Sequence, residues 1–185
     1  MEVLSKTGVM QQGHFRLTSG RHADTYFQCA RLFENAESSA LLCRVLAEKL
    51  KDITAIDMVA GPALGAMIMA YEMGRQLGVP NIFTERDNGV MTLRRGFVVP
   101  QGAKVLVVED AVTTGGSVQE CIDVIRAQGG IVVAVGAIVD RSNGKVDFGI
   151  PFMAATRLDV VSWTEDECPL CKQSLPVVKP GSRKV

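Results

Sequence analysis

The sequence predicts an α/β protein, a parallel sheet with helices on both faces and a small N-terminal hood. Three observations carry this. Residues 104–108, Lys-Val-Leu-Val-Val, form a short apolar run rich in β-branched residues, as in a strand buried on both faces. Val118, Cys121, Ile122 and Ile125 then recur at helical spacing, Gly129-Gly130 ends that helix, and a second apolar run fills 131–139. Strand, helix and strand in this order make a right-handed parallel crossover. Residues 56–60 and 66–77 repeat the strand and helix, with Gly78 suited to the position just past the helix end.

The elements follow in order. One domain over 1–185 is expected, with a hood segment at 1–35, a mobile basic loop at 85–102 and a C-terminal tail at 165–185. In the hood, residues 13–22 alternate apolar and polar side chains and turn at Ser19-Gly20; Tyr26-Phe27-Gln28-Cys29 reads as a second strand. Its basic and hydroxyl residues suit a ligand-facing tip and a solvated tip equally. Asn35 is a candidate N-cap for a core-facing helix carrying Leu42, Val45, Leu46, Leu50 and Ile53. Residues 61–65, Gly-Pro-Ala-Leu-Gly, turn the chain from strand to helix, and spacing alone makes this routine punctuation.

Residues 81–84 form a short strand. The following segment carries Arg86, Arg94 and Arg95 around an Asp87-Asn88-Gly89 turn. Residues 91–93 and 96–99 are expected to pair as a hairpin. Such a basic segment between core strands suits either a lid over a pyrophosphate or a solvated hairpin. Residues 146–158 add edge strands.

The stretch 104–117 is the centre of the chain. Glu109-Asp110 stops the apolar run, Thr113-Thr114-Gly115-Gly116 follows, and Ser117 opens the helix. Free N–H groups from Thr114 to Ser117 can cradle a phosphate, aided by the helix dipole. The carboxylates cannot hold a phosphate, but they accept hydrogen bonds from a sugar diol or hold a hydrated Mg²⁺. A capping role explains any one of these residues, but not an acidic pair at the end of a buried strand. No lysine makes a P-loop here, and the acids precede the glycines, unlike the dinucleotide fingerprint. Asp140-Arg141 ends the next strand on the same sheet edge, where a guanidinium can grip a carboxylate in bidentate fashion. An ordinary Asp–Arg surface turn fits the same residues.

This stretch resembles the phosphoribosyl-pyrophosphate (PRPP) loop of type I phosphoribosyltransferases: aliphatics, two acids, two variable residues (here Ala111 and Val112), then Thr and Gly. The resemblance runs from about Gly13 to the tail and is nearest to the orotate-specific branch, in which Leu-x-Ser-Gly-x and a nearby Tyr-Phe recur. It implies a type I phosphoribosyltransferase-like sheet and transfer of the phosphoribosyl group of PRPP to orotate. The products are orotidine 5′-monophosphate and pyrophosphate, a step of pyrimidine synthesis. It implies that residues 109–117 and Arg86 bind PRPP, with Arg86 and Asp110 the catalytic residues. Thr113 and Arg141 hold orotate, and the 61–65 loop binds pyrophosphate through backbone. Mg²⁺ is carried by PRPP and water, with no direct protein ligand. The basic loop reaches into the neighbouring subunit of a homodimer. Where many members carry lysine this chain has Thr18 and Gly65, and of the usual basic pair opening the lid only Arg86 remains beside Glu85. A purine phosphoribosyltransferase and a non-enzymatic nucleotide- and RNA-binding regulator are the alternatives.

Composition narrows the class. Twenty basic and twenty acidic residues leave no net charge, against a broad nucleic-acid or membrane-surface footprint. No apolar run spans a bilayer, and the N-terminal residues lack a signal-peptide core, so a cytoplasmic protein is expected. Five cysteines fit reduced thiols. Cys168-Pro-Leu-Cys171 is half of a tetrahedral zinc site. No second C-x-x-C or histidine pair completes it within the chain; a symmetric dimer could supply the other half, but two unliganded thiols in a partly ordered tail are expected.

Overall fold

The computed structural model describes residues 9–17, 19–53, 55–158 and 161–180. Thr18 and the first eight residues therefore lie outside the described residues. The chain divides into two compact units, residues 33–158 and residues 1–32 joined by 159–185.

The hood begins with an antiparallel pair, β1 (Met10–Arg16) and β2 (His22–Phe27). The turn between them uses Gly20 at φ +79°, a conformation that side chains resist. The second strand starts at His22, earlier than Tyr26 as expected, and Gln28 and Cys29 fall outside it. Alternation in residues 13–22 was a weak guide because the register breaks between Gln12 and Phe15.

The larger unit is built on a six-stranded sheet: β3 (Met58–Pro62), β4 (Asn81–Asp87), β5 (Val90–Leu93), β6 (Lys104–Val112), β7 (Ile131–Asp140) and β8 (Phe152–Arg157). The order is β5-β4-β3-β6-β7-β8, parallel except for β5. Helices α1 (Ala36–Lys49) and α2 (Gly65–Leu77) pack on each other, and α1 lies close enough to β7 that a Cβ at Gly136 would stand 3.0 Å from Leu46 Cδ2. Helix α3 (Gly116–Ala127) closes a separate cluster, in which Val118, Cys121, Ile122 and Ile125 meet Val105, Val107, Val135 and Phe148. Helices on two sides explain why both faces of β6 are apolar. Each fully buried Ile or Leu here contributes about 1.5–3 kcal/mol.

Local chemistry sets the helix ends. Asn35 caps α1, its Oδ1 accepting from Ser38 N at 2.9 Å. The buried face of α1 is Ser39, Cys43 and Leu46, with Leu50 just beyond; Val45 is exposed, against expectation. Periodicity picked Leu46 and Leu50 correctly; it took in Val45 and passed over Cys43 because the apolar residues of this helix outnumber one buried stripe. Gly78 ends α2 in the left-handed conformation, as expected.

Three strand readings change. The hairpin partner of 91–93 is not 96–99: β4 runs on to Asp87 and pairs with β5 across Asn88-Gly89. β6 does not stop at the acids either. It carries Glu109 and Asp110 as strand residues, with Val112 in register with Asp140. The ladder to β7 stabilises them in place of further apolar side chains. Between residues 146 and 158 there is a single edge strand, β8. Among the described residues no helix is long and apolar enough to cross a membrane.

The hood unit is completed by residues 161–180, which include the helical turn α4 (Pro169–Lys172). Val178 pairs with the first strand through Arg16 N to Val178 O at 2.9 Å and Val178 N to His14 O at 2.8 Å. Trp163 exchanges both backbone bonds with His22 at 2.8 Å each. The tail, expected to be partly ordered, is thus hydrogen-bonded to β1 through Val178, and Trp163 just before it to β2.

Candidate active site at the ends of β3, β6 and β7

The chain leaves β3 for β4 on one side, then returns to lay β6 on the other. The crevice beyond these strand ends is the place where open α/β sheets bind ligands. Residues 61–65 leave β3 there, and 113–117 leave β6.

Backbone closeness explains the glycines of the first loop. A Cβ on Gly61 would stand 2.8 Å from Ala66 Cβ and 3.0 Å from Val108 O. A Cβ on Gly65 would stand 2.8 Å from Asp110 Oδ2. Gly65 therefore lets the Asp110 carboxylate lie against the start of α2. The Ala63–Leu64 peptide is cis.

Asp110 N donates to Glu109 Oε1 at 3.1 Å and Ala111 N to Asp110 Oδ1 at 2.7 Å. Both carboxyl groups are partly buried. Burial raises each above its ordinary range, and for Glu109 the neighbouring Asp110 charge adds to the effect. Two such groups welcome a hydroxyl donor or a cation, which relieves the same penalty.

The second loop carries the hydrogen-bond donors. Gly115 caps α3 at φ +77°, without a side-chain cap, so the N–H groups of the first turn have no capping oxygen. Thr113, Thr114 and Gly116 are exposed, and Ser117 partly so. A Cβ on Gly115 would meet Val146 Cγ1 at 2.9 Å and the Phe148 ring at 3.0 Å, so the loop sits low on the apolar cluster. This arrangement suits a phosphate.

Arg141 N donates to Val112 O at 2.8 Å, which brings Arg141 beside Thr113 as the ladder ends. The turn that carries it is anchored by Asp140, which is buried: its Oδ1 accepts from Ser142 N at 2.9 Å and Ser142 Oγ at 2.6 Å, and its Oδ2 pairs with Arg157 Nε at 3.3 Å. Sequence reasoning saw an Asp–Arg turn here, but not that Asp140 anchors it. The Asp-x-Ser spacing was the available signal.

The basic residues of the β4–β5 hairpin are engaged. Arg86 pairs with Glu120 of α3 at 2.5 Å and donates to Gly89 O at 3.0 Å. Arg95 holds Glu85 in two bonds, 2.8 and 2.9 Å, which lowers the Glu85 carboxyl below its ordinary value, and its guanidinium lies 5.6 Å from the Phe83 ring centre. Arg94 faces Asp87 at 3.6 Å. Sequence reasoning missed Glu120. It lies on the first turns of α3, 34 positions after Arg86, and no local pattern links them.

The arrangement thus unites an acidic pair, a donor-rich loop and an arginine at one sheet edge. Comparison with known proteins bears on the same residues. The family described as "Phosphoribosyl transferase domain" matches residues 31–163. A protein of Caldanaerobacter subterraneus subsp. tengcongensis named orotate phosphoribosyltransferase is 53% identical over 185 residues, covering 100% of this chain and 97% of that protein. This chain belongs to the orotate phosphoribosyltransferase family. The solved orotate phosphoribosyltransferase of Mycobacterium tuberculosis is 30% identical, with a TM-score of 0.72 over 85% of this chain and 95% of that one. The adenine phosphoribosyltransferase of Thermoanaerobacter pseudethanolicus, 16% identical with a TM-score of 0.62 over 72% of this chain and 88% of that one, shares the fold alone. Within the orotate phosphoribosyltransferase family, Gly65 of this chain gains a physical reason: any side chain there would displace Asp110.

Proposed function

We propose that this chain transfers the phosphoribosyl group of PRPP to orotate, giving orotidine 5′-monophosphate and pyrophosphate in pyrimidine synthesis. The observation that carries this reading is the meeting of Glu109-Asp110, the 113–117 donors and Arg141 at one sheet edge. The protein need supply no nucleophile. The bond from sugar C1 to pyrophosphate breaks, the electron pair leaves with pyrophosphate, and a ring nitrogen of orotate attacks the oxocarbenium-like sugar.

Residues 113–117 hold the 5′-phosphate, and Ala111 and Val112 continue the PRPP-binding segment into that loop. Glu109 and Asp110 accept from the ribose hydroxyls, and Asp110 also faces the positive charge that develops on the sugar. Arg86 exchanges Glu120 for the pyrophosphate, with the 61–65 backbone beside it. Thr113 and Arg141 orient orotate. Glu109 and Asp110 would hold a hydrated Mg²⁺ brought by PRPP through its water, and the ion would supply positive charge against the pyrophosphate. The enzyme acts in the cytoplasm as a homodimer with shared sites. Leu64, Ile68 and Tyr71 support a second copy as partner: at spacings of four and three they form an exposed apolar stripe along α2. Mixed Arg86→Ala and Arg141→Ala subunits should regain activity in hybrid dimers. Dimers that exchange subunits and stay inactive would place the Arg86 loop in its own chain.

The test of function is incubation with PRPP and Mg²⁺, offering orotate, uracil, adenine and hypoxanthine in turn. Pyrophosphate release with orotate is expected. Turnover of a purine with none of orotate would refute the reading.

A further inference from the structure

We propose that the hood unit binds one Zn²⁺ ion, held tetrahedrally by His14 Nε2, His22 Nδ1, Cys168 Sγ and Cys171 Sγ. These four atoms all lie within 4.8 Å of one another. Specific separations are 2.9 Å between His14 Nε2 and His22 Nδ1, 3.5 Å from Cys168 Sγ to His14 Nε2, and 3.6 and 3.2 Å from Cys171 Sγ to the two nitrogens. Zn–N bonds of about 2.0–2.1 Å and Zn–S bonds of about 2.3 Å place tetrahedral N–N and N–S neighbours roughly 3.3–3.6 Å apart. These four separations lie within a few tenths of an ångström of those values.

Each ligand is presented by a separate local device. β1 and β2 pair Arg16 with His22, and the break in register between Gln12 and Phe15 falls at His14, whose Nε2 comes within 2.9 Å of His22 Nδ1. Cys168 precedes Pro169 at the start of α4, and Lys172 N bonds to Cys168 O at 3.2 Å; one helical turn turns Cys171 the same way. His14 Nδ1 donates to Leu175 O at 2.8 Å. That bond fixes the tautomer that leaves Nε2 a lone pair, the outer-shell arrangement of zinc-bound histidines. Trp163 holds the His22 backbone on both sides.

The set contains two nitrogens, two sulfurs and no carboxylate, which selects zinc over magnesium or calcium. His14, His22 and Cys168 are buried, and Cys171 is partly exposed, leaving an entry path. All four positions come from protein, so the site is closed and structural. Binding releases the two thiol protons to solvent and leaves both sulfurs as thiolates. The hood is small, in two segments far apart in sequence, and its buried apolar residues are few: Val9, Phe15, Ala23, Phe27, Cys29, Leu32 and Cys168 among those described. Units of this size need a staple.

The experiment uses the full, untagged chain. Elemental analysis after purification without chelator is expected to find one zinc per chain, and Co²⁺ replacing it should give visible bands of tetrahedral coordination with thiolate charge transfer. Chelation should lower the hood's melting temperature by about 10 °C, reversibly with Zn²⁺. Cys168→Ser with Cys171→Ser should abolish binding. If that variant fails to fold, His14→Cys, which keeps four ligands, should retain one equivalent and strengthen the charge-transfer band. A folded chain that stays metal-free under excess Zn²⁺, or Co²⁺ spectra without thiolate bands, would overturn the proposal.

Discussion

The ligand edge of the sheet and the histidine–cysteine cluster of the hood are assembled in opposite ways. At the edge, nine contiguous residues, 109–117, carry the acidic pair and the donor loop, and one neighbouring strand adds Arg141. In the hood, the ligands come from two places, His14 and Cys168 being 154 positions apart. A strand-to-helix turn builds a site by itself; a cluster across a hairpin and a distant helical turn exists only after both have folded. The first presents raised carboxyl groups and uncapped N–H groups, which suit an arriving ligand. The second is closed, and its expected role is stability.

This contrast can be broken where it is sharpest. Arg141→Ala should reduce kcat/KM for orotate by about 10²–10³-fold, since in the proposed role it takes a charged bidentate contact from a desolvated carboxylate. PRPP affinity should stay near that of the parent. Uracil, without the carboxylate, should be a poor substrate that suffers much less. An equal loss for both bases would give Arg141 a role in the fold and none in base choice. Arg141→Lys should recover only part, because lysine lacks the planar fork.

Gly65→Ala comes next. The new methyl would press on Asp110 Oδ2 from 2.8 Å, so PRPP binding measured by calorimetry should weaken by about tenfold. Unchanged affinity would mean that Asp110 can turn aside without cost, and would weaken its place in the site.

The smallest effect concerns stability. Glu109 has a carboxyl raised above its ordinary value, so the folded chain holds that proton more tightly than the unfolded chain. The stability it contributes is present at acid pH and lost as pH rises from the ordinary range through the raised value. Glu109→Gln removes that loss. The ligand-free variant should melt about 3 °C higher than the parent at pH 8, and alike at pH 4, by thermal scans. The reverse pattern would show a carboxylate stabilised by the fold. The same variant should bind PRPP less well, a trade of stability for function absent from the hood, where removing a ligand side chain should only destabilise.

Much of the α/β unit was legible. Residues 105–108 are apolar on both faces because helices cover both, and a run without alternation says so directly. Gly78 and Asn35 did what their backbone chemistry requires, at single positions with no distant partner. The donor loop was legible because its parts are consecutive. Less was visible where several residues competed for one role. Val45 and Leu46 both look like core, and only packing chose Leu46. The Glu109-Asp110 pair looked like a strand end, but the ladder to β7 carries the strand through it, since main-chain bonds do not depend on side-chain polarity.

By itself the sequence determined the parallel sheet, the helix covering both faces, the contiguous acid-and-glycine loop and the family it resembles. Those features depend on neighbours within a few residues, where periodicity and backbone preference act without knowledge of the rest of the chain. Tertiary structure alone decided that Arg86 meets Glu120, that Arg95 is taken by Glu85, that Asp140 anchors the turn bearing Arg141, and that His14 and His22 converge on Cys168 and Cys171. Each joins side chains across different strands, helices or turns, and their separation in space is fixed by sheet register and packing. No spacing along the chain encodes it.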